Sequence, residues 1–313
     1  MRRVCHHDST PAWAPLTKLL SPFLLTGCSA ASATPGVPSP PTEAPAPRTE
    51  PPAPAPSPTA ASPQVEAPSD PGTSPSATAA VCPPDMAHVR HEYCPILEHR
   101  CKKSEYDKSN HITICHEFEA GQKTCRGERR LVDVCVDRYE YPNQKGGHPP
   151  VMVDFFDAER SCQALGKRLC LESEWVAACE GPSEQPFPYG WERSNEICNI
   201  DNTWVEPSLG RVYAKDPEIQ RQELERLDRS VPSGSKEACV SHDGVYDLTG
   251  NVDEWVRLDK PKPGAASKMA GLKGGAWGHV RNACRPVTTS HAPEFTYYFI
   301  SFRCCQDPAR ASD

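Results

Sequence analysis

Sixteen cysteines are the residues of this chain that carry the most chemistry. Two of them, Cys5 and Cys28, lie near the start, and the rest are spread between Cys82 and Cys305. A cysteine can serve as a nucleophile, a metal ligand, a redox centre or one half of a disulfide, and spacing helps to separate these uses. Zinc knuckles bring two thiolates to one ion through a C-x-x-C step, and no such step occurs here. An even number of well-separated cysteines reads as a disulfide framework, which persists only outside the reducing cytosol. Other catalytic sets are missing. No serine in a nucleophile elbow is followed by an acid and a histidine, and no Gly-rich phosphate loop opens a helix.

The elements available to position those cysteines are unevenly distributed. Apolar residues make up 37% of the chain, while proline is abundant at 35 residues. The imbalance is local. Residues 29–80 are rich in Pro, Ala, Ser and Thr and contain no aromatic residue, Leu, Ile or Met. Such a stretch buries too little apolar surface to offset its chain entropy, so a disordered or polyproline-like tether is expected. Before it, in residues 1–28, Arg2, Arg3 and Lys18 precede the apolar run Leu19-Leu20-Ser21-Pro22-Phe23-Leu24-Leu25, which leads into Thr26-Gly27-Cys28. This order resembles a bacterial lipoprotein signal ending in a lipobox, with Cys28 as the lipidated residue. The run is too short to span a bilayer. An ordinary cleaved signal, or none, is the alternative. The expectation is therefore an exported cell-envelope lipoprotein facing the periplasm or exterior, whose membrane contact is its lipid anchor.

The net charge of −7 comes from 34 basic and 41 acidic residues that are interspersed, so it serves solubility and argues against nucleic acid as a partner. Residues 81–134 are expected to form a small, loop-rich, self-stapled extension packed on a main domain of residues 135–308, with a short tail at 309–313. The pairing of Cys82, Cys94, Cys101, Cys115, Cys125 and Cys135 stays open. Alternation over Leu131-Val132-Asp133-Val134-Cys135-Val136-Asp137 predicts a strand with one buried face. Helices are predicted over 156–165, stopped by Gly166, and over 172–179, stopped by Gly181, each aiming a cysteine inward. A third, over 217–228, is charged nearly all round and reads as a solvated insertion. The last 70 or so residues, rich in Gly and aromatics, read as short strands joined by tight turns.

A longer pattern now emerges. Asp157-Ala158, Cys162, Gly166-Lys167-Arg168-Leu169, Glu174-Trp175, Ala178-Cys179-Glu180-Gly181 and Tyr189-Gly190 occur in order. They are followed by Gly244-Val245-Tyr246-Asp247-Leu248-Thr249-Gly250-Asn251-Val252, Glu254-Trp255, Lys273-Gly274-Gly275-Ala276-Trp277 and Phe302-Arg303-Cys304. Together these resemble the formylglycine-generating enzyme / sulfatase-modifying-factor family over about residues 135–307. The resemblance implies an α+β, C-type-lectin-like fold with much irregular backbone.

It also implies chemistry that can be checked position by position. Formylglycine-generating enzymes use two cysteines to bind copper(I) and oxidise a sulfatase cysteine with oxygen. The matching positions here are His279 and Cys284, and one imidazole with one thiolate is a poor substitute for a bis-thiolate copper(I) site. Ala276 and Asp253 stand where the family has Ser and Trp. By resemblance Cys162 pairs with Cys304. Thr289 replaces the family partner of Cys179, so Cys284 is expected to pair with Cys179, Cys170 with Cys305, and Cys198 with Cys239. The family's calcium ligands match Asp247, Gly250, Val252 and Glu254, and a second calcium segment begins at Asn199-Ile200. Hard carboxylate and carbonyl oxygens suit calcium.

Two functions follow. The first is a non-copper binding or structural module for a protein or glycan ligand. The second is a metal-dependent oxidoreductase, either a formylglycine-generating enzyme with an altered site or an oxygenase in which His279 and His291, with Glu294 or His242, hold iron through nitrogen and oxygen ligands.

Overall fold

The strand expected over 131–137 is where the fold is assembled. In the computed structural model, which describes residues 81–309, it is β4 (Arg130–Asp137). The expected signal 1–28 with Cys28, the tether 29–80 and all but the first residue of the tail 309–313 lie outside the described residues. β1 (Met86–Tyr93) pairs antiparallel with β4 along its whole length, from Met86 opposite Asp137 to Tyr93 opposite Arg130. On its other side β4 meets β10 (Cys304–Gln306), which in turn meets β5 (Arg168–Leu169). The order β1-β4-β10-β5 therefore puts the first and last strands into one sheet.

A second sheet has the order β8-β7-β6-β9, from β6 (Asp253–Arg257), β7 (Ala270–Lys273), β8 (Val287–Thr288) and β9 (Ile300–Phe302). β6 and β9 run parallel and the remaining pairs antiparallel. Short strands, tight Gly turns and long irregular connections make this the mixed α+β, C-type-lectin-like architecture.

Residues 81–134 are not the loop-rich extension that was expected. β1, β2 (Ile96–Asp107) and β3 (Ile112–Arg126) fill most of that span, and the β1–β4 ladder makes its beginning part of the main sheet. β2 and β3 form a long irregular hairpin, largely exposed, so no apolar alternation marks either strand. Two disulfides, Cys94–Cys125 and Cys101–Cys115, tie its strands together, and Cys82–Cys135 ties the start of the segment to β4.

The helices follow local rules. α1 (Phe155–Ala164) is capped by Asp154, whose carboxylate accepts from the Asp157 N–H at 2.6 Å. Gly166, at φ 71°, follows its end. In α2 (Glu172–Glu180) the Glu174 carboxylate reaches back to the Leu171 N–H at 2.7 Å. α3 (Leu209–Val212) precedes α4 (Pro217–Leu227), which starts on the Asp216 cap with Pro at its first position. α4 is more than the solvated insertion expected of it. Leu227 is buried with Val212 in the core cluster that holds Trp255 and Phe302, and buried Glu223 accepts from the Ser208 N–H at 2.8 Å. Charge around the rest of the helix conceals this single anchor.

All fourteen cysteines from Cys82 to Cys305 are paired, in seven disulfides that suggest an oxidising environment. Besides the three above, the bonds are Cys162–Cys304, Cys170–Cys305, Cys179–Cys284 and Cys198–Cys239. Among the described residues no helix is long and apolar enough to cross a membrane.

Candidate functional site

A cavity of about 420 Å³ opens beside β6 and β9, walled by Asp253, His279, His291, Tyr213, Phe295, Tyr297 and Phe299. Asp253 starts β6 and is buried. The Gly275 N–H donates to Oδ1 at 3.2 Å, and His279 Nδ1 lies 3.5 Å from Oδ2. The Gly274-Gly275 turn after β7 delivers His279 here, with its ring edge-on to Phe299 at 4.6 Å. His291 stacks on Phe295 at 4.0 Å. Burial lowers the pKa of His291, partly offset by Asp253, which keeps the imidazole neutral and its lone pair available.

The expected copper pair does not fit. Cys284 is bonded to Cys179, so it offers no thiolate beside His279. The expected nitrogen/oxygen set is brought together only in part. His279 and His291 face the same cavity, whereas Glu294 is exposed and off its wall, and His242 sits in another cluster beside His91. Among the described residues, only the His91, His242 and Asp243 group brings three such ligand atoms within 4.8 Å of one another. The cleft histidines therefore form no ready-made iron site. Asp253, which holds His279, was legible as a departure from the family pattern but not as a partner.

The expected calcium segment lies in a buried ionic network behind the cavity. Glu254 and Arg303 are each 1% exposed. Arg303 donates to both Glu254 oxygens, at 2.6 and 2.7 Å, and to the carbonyls of Asp137 and Tyr246 at 3.2 and 2.9 Å. Trp175 Nε1 adds a bond to Glu254 Oε2 at 2.9 Å. Close by, fully buried Glu140 accepts from Asn251 Nδ2 at 2.9 Å and from the Ser233 hydroxyl at 2.5 Å. Asp247 Oδ2 accepts from the Gly234 N–H at 2.7 Å, while Asp247 Oδ1 is buried with no partner. Three carboxylates thus share one guanidinium. Burial, reinforced by the neighbouring charges of Asp247 and Glu254, raises the Glu140 pKa well above its usual range. Burial likewise pushes Asp247 up to about 6. Nothing around Glu140 in the sequence marks it, because its partners come from residues more than ninety positions away.

Of the set that the resemblance implies for a divalent cation, Asp247, Gly250, Val252 and Glu254, Asp247 offers an orphaned buried carboxylate oxygen, whereas both Glu254 oxygens are already bonded to Arg303. Gly250 is required sterically: its φ is 89°, and a Cβ would fall 2.4 Å from the Asn199 carbonyl oxygen. That oxygen accepts from the Asn251 N–H at 3.0 Å, and Asn199 Oδ1 accepts from Asn202 Nδ2 at 2.8 Å. The Asn199-Ile200 segment is therefore the packing partner of the Gly250 turn.

Beside the Cys179–Cys284 bond, fully buried Lys273 donates to the carbonyls of Cys284 and Arg285 at 2.7 and 3.0 Å, with its ammonium 5.1 Å from the Trp175 ring centre. Burial pulls its pKa down to about 7. Below pH 7 both folded and unfolded chains carry this proton; between about 7 and 10.5 only the unfolded chain does. Stability should therefore rise with pH across that window, by at most ~1.4 kcal/mol per unit. Urea unfolding at pH 7 and 9 should show this rise in the native chain and a flatter response in Lys273→Met.

The family assignment rests on sequence. The family model described as the sulfatase-modifying factor enzyme 1-like domain matches residues 100–308. Over 188 residues the chain is 28% identical to the formylglycine-generating enzyme of Mycobacterium tuberculosis, covering 52% of this chain and 59% of that protein. Over 177 residues it is 26% identical to the mouse protein named inactive C-alpha-formylglycine-generating enzyme 2, covering 53% and 51%. The crystal structure of CarF superposes with a TM-score of 0.42 at 15% identity, over 73% of this chain and 99% of CarF. The chain spans about half the length of the curated relatives it matches. A relative named formylglycine-generating enzyme and one named inactive match at 28% and 26% identity, so overall identity does not decide the chemistry. The match over residues 100–308 does decide the family: this chain belongs to the sulfatase-modifying factor enzyme 1-like domain family.

Proposed function

We propose that the chain is an exported, lipid-anchored module of this family that binds a ligand in the aromatic cleft and does not oxidise through copper. The observation that carries this reading is the Cys179–Cys284 bond, which occupies the one cysteine standing at a family copper position. A concave, largely apolar wall of Phe295, Tyr297 and Phe299 with a few polar groups suits a protein side chain or a sugar ring. The test is a non-reducing peptide map with thiol counting, paired with copper(I) titration. The expected result is a Cys179–Cys284 cross-linked peptide and no copper bound by the folded domain. A free Cys284 that binds copper would overturn the reading.

Calcium is part of the proposal, as a structural ion on the Asp247–Glu254 segment. Without it, the raised Asp247 pKa contributes stability that is fully present below about 3.8 and lost as pH rises through about 6. A cation reverses the sign, because it competes with the proton at Asp247. Millimolar calcium should therefore raise the Tm at pH 7.5 clearly more than at pH 5, and Asp247→Asn should shrink the effect. An equal shift at both pH values would argue against binding at Asp247.

The second reading, an iron-dependent oxidoreductase, draws on His279, His291 and Asp253 lining one cavity. Stoichiometric iron in the purified protein, lost in His279→Ala, would favour it.

A further inference from the structure

On the surface away from the cleft, β1 and the turn at Ser241–Gly244 bring together His91, His242 and Asp243. His91 Nε2 lies 2.7 Å from Asp243 Oδ2, and His242 Nδ1 lies 3.1 Å from Asp243 Oδ1. The carboxylate thus bridges two imidazoles, whose ring centres are 5.6 Å apart. The geometry points to a binding site for a late first-row divalent metal, zinc above all, formed by His91, His242 and Asp243.

Three features support it. The donors are fixed before any metal arrives: the His91 and Asp243 side chains are 11% and 8% exposed, and His91 lies within the β1–β4 ladder. The turn is locked by Gly244 N–H to Ser241 carbonyl and Ser241 N–H to Val245 carbonyl bonds, at 3.0 and 2.9 Å. Gly181 leaves room for His242, since a Cβ there would stand 2.9 Å from the His242 Cβ. The entrance is open, because the His242 side chain is 63% exposed. Finally, the donor set is chemically apt. Two neutral imidazoles and one carboxylate are the ligands of three-coordinate protein zinc sites, which keep a further position free.

Zinc bonds of about 2.0–2.1 Å in a tetrahedron hold neighbouring donor atoms roughly 3.3 Å apart. The His91 and His242 contacts, made to the two different Asp243 oxygens at 2.7 and 3.1 Å, widen by roughly 0.6 and 0.2 Å, with the metal replacing the proton between each pair. A dication with one carboxylate leaves a single positive charge. The free position therefore favours water, hydroxide or a carboxylate from a partner. Bound there, the ion would clamp strand β1 to a turn 150 residues later in the chain.

The experiment is zinc titration calorimetry on the oxidised full chain, without reducing agent, comparing the native protein with His91→Gln, His242→Gln and Asp243→Asn. The expected result is one equivalent of zinc that each variant weakens at least tenfold, while a His279→Gln/His291→Gln variant binds as the native chain does. Histidines outside the substituted positions are common to all of these proteins and cancel in the comparison. Since His242 is exposed, His242→Gln should keep the native Tm in EDTA, so loss of binding there is not loss of fold. Absence of zinc binding by the native chain, or unchanged affinity in His242→Gln, would overturn the proposal.

Discussion

Replacing Arg303 by Leu is expected to destabilise the domain by about 3–5 kcal/mol, the range for leaving one partner of a buried ion pair uncompensated. Arg303 donates to both oxygens of Glu254 and to two backbone carbonyls, all out of reach of water. Leucine fills part of the volume but leaves the Glu254 carboxylate with only the Trp175 indole N–H. It also removes the one guanidinium near Glu140, Asp247 and Glu254, so Glu140 and Asp247 are driven further toward their protonated forms. Urea unfolding followed by tryptophan fluorescence measures the loss. The double variant Glu254→Leu/Arg303→Leu should recover part of it, because no charge is then stranded, though the Trp175 indole and the Asp137 and Tyr246 carbonyls stay unpaired. A loss under 1 kcal/mol in Arg303→Leu would mean that water or relaxation reaches Glu254.

Opening the Cys179–Cys284 bond should be of similar size. The bond closes a loop across a sequence separation of 105 residues, which the chain-entropy model values at about 4.7 kcal/mol. It also joins α2 to the strand-poor segment after β7, whose carbonyls at Cys284 and Arg285 hold the Lys273 ammonium. Cys179→Ala/Cys284→Ala removes the link without leaving a reactive thiol. Its Tm should fall by on the order of 10 °C, given about 2–4 °C per kcal/mol for a domain of this size. An unchanged Tm would show that packing of α2 alone holds this region.

Much of the fold was legible because its signals are local. The helices predicted over 156–165 and 172–179, with their Gly166 and Gly181 stops, match α1 and α2 within a residue or two, and the alternating run at 131–137 is β4. The ordered motifs from Asp157 to Cys304 carried the family. β2 and β3 were not legible, because an exposed hairpin has no buried face to write into its sequence. For the same reason the pairing of its cysteines stayed open: it depends on which residues the hairpin register sets opposite one another.

The site divides along the same line. From the sequence alone came the residue types at the family positions: His279 and Cys284 where a bis-thiolate pair would stand, Ala276 and Asp253 beside them, and cysteines in an even number. These are facts of identity and order, and no fold is needed to read them. Only the tertiary structure decided that Asp253 faces His279, that His242 keeps company with His91 and not with the cleft, and that Glu140 and Asp247 crowd one guanidinium. Those relations join residues far apart in the chain. Their energies come from burial and distance, and both exist only once the sheets have closed.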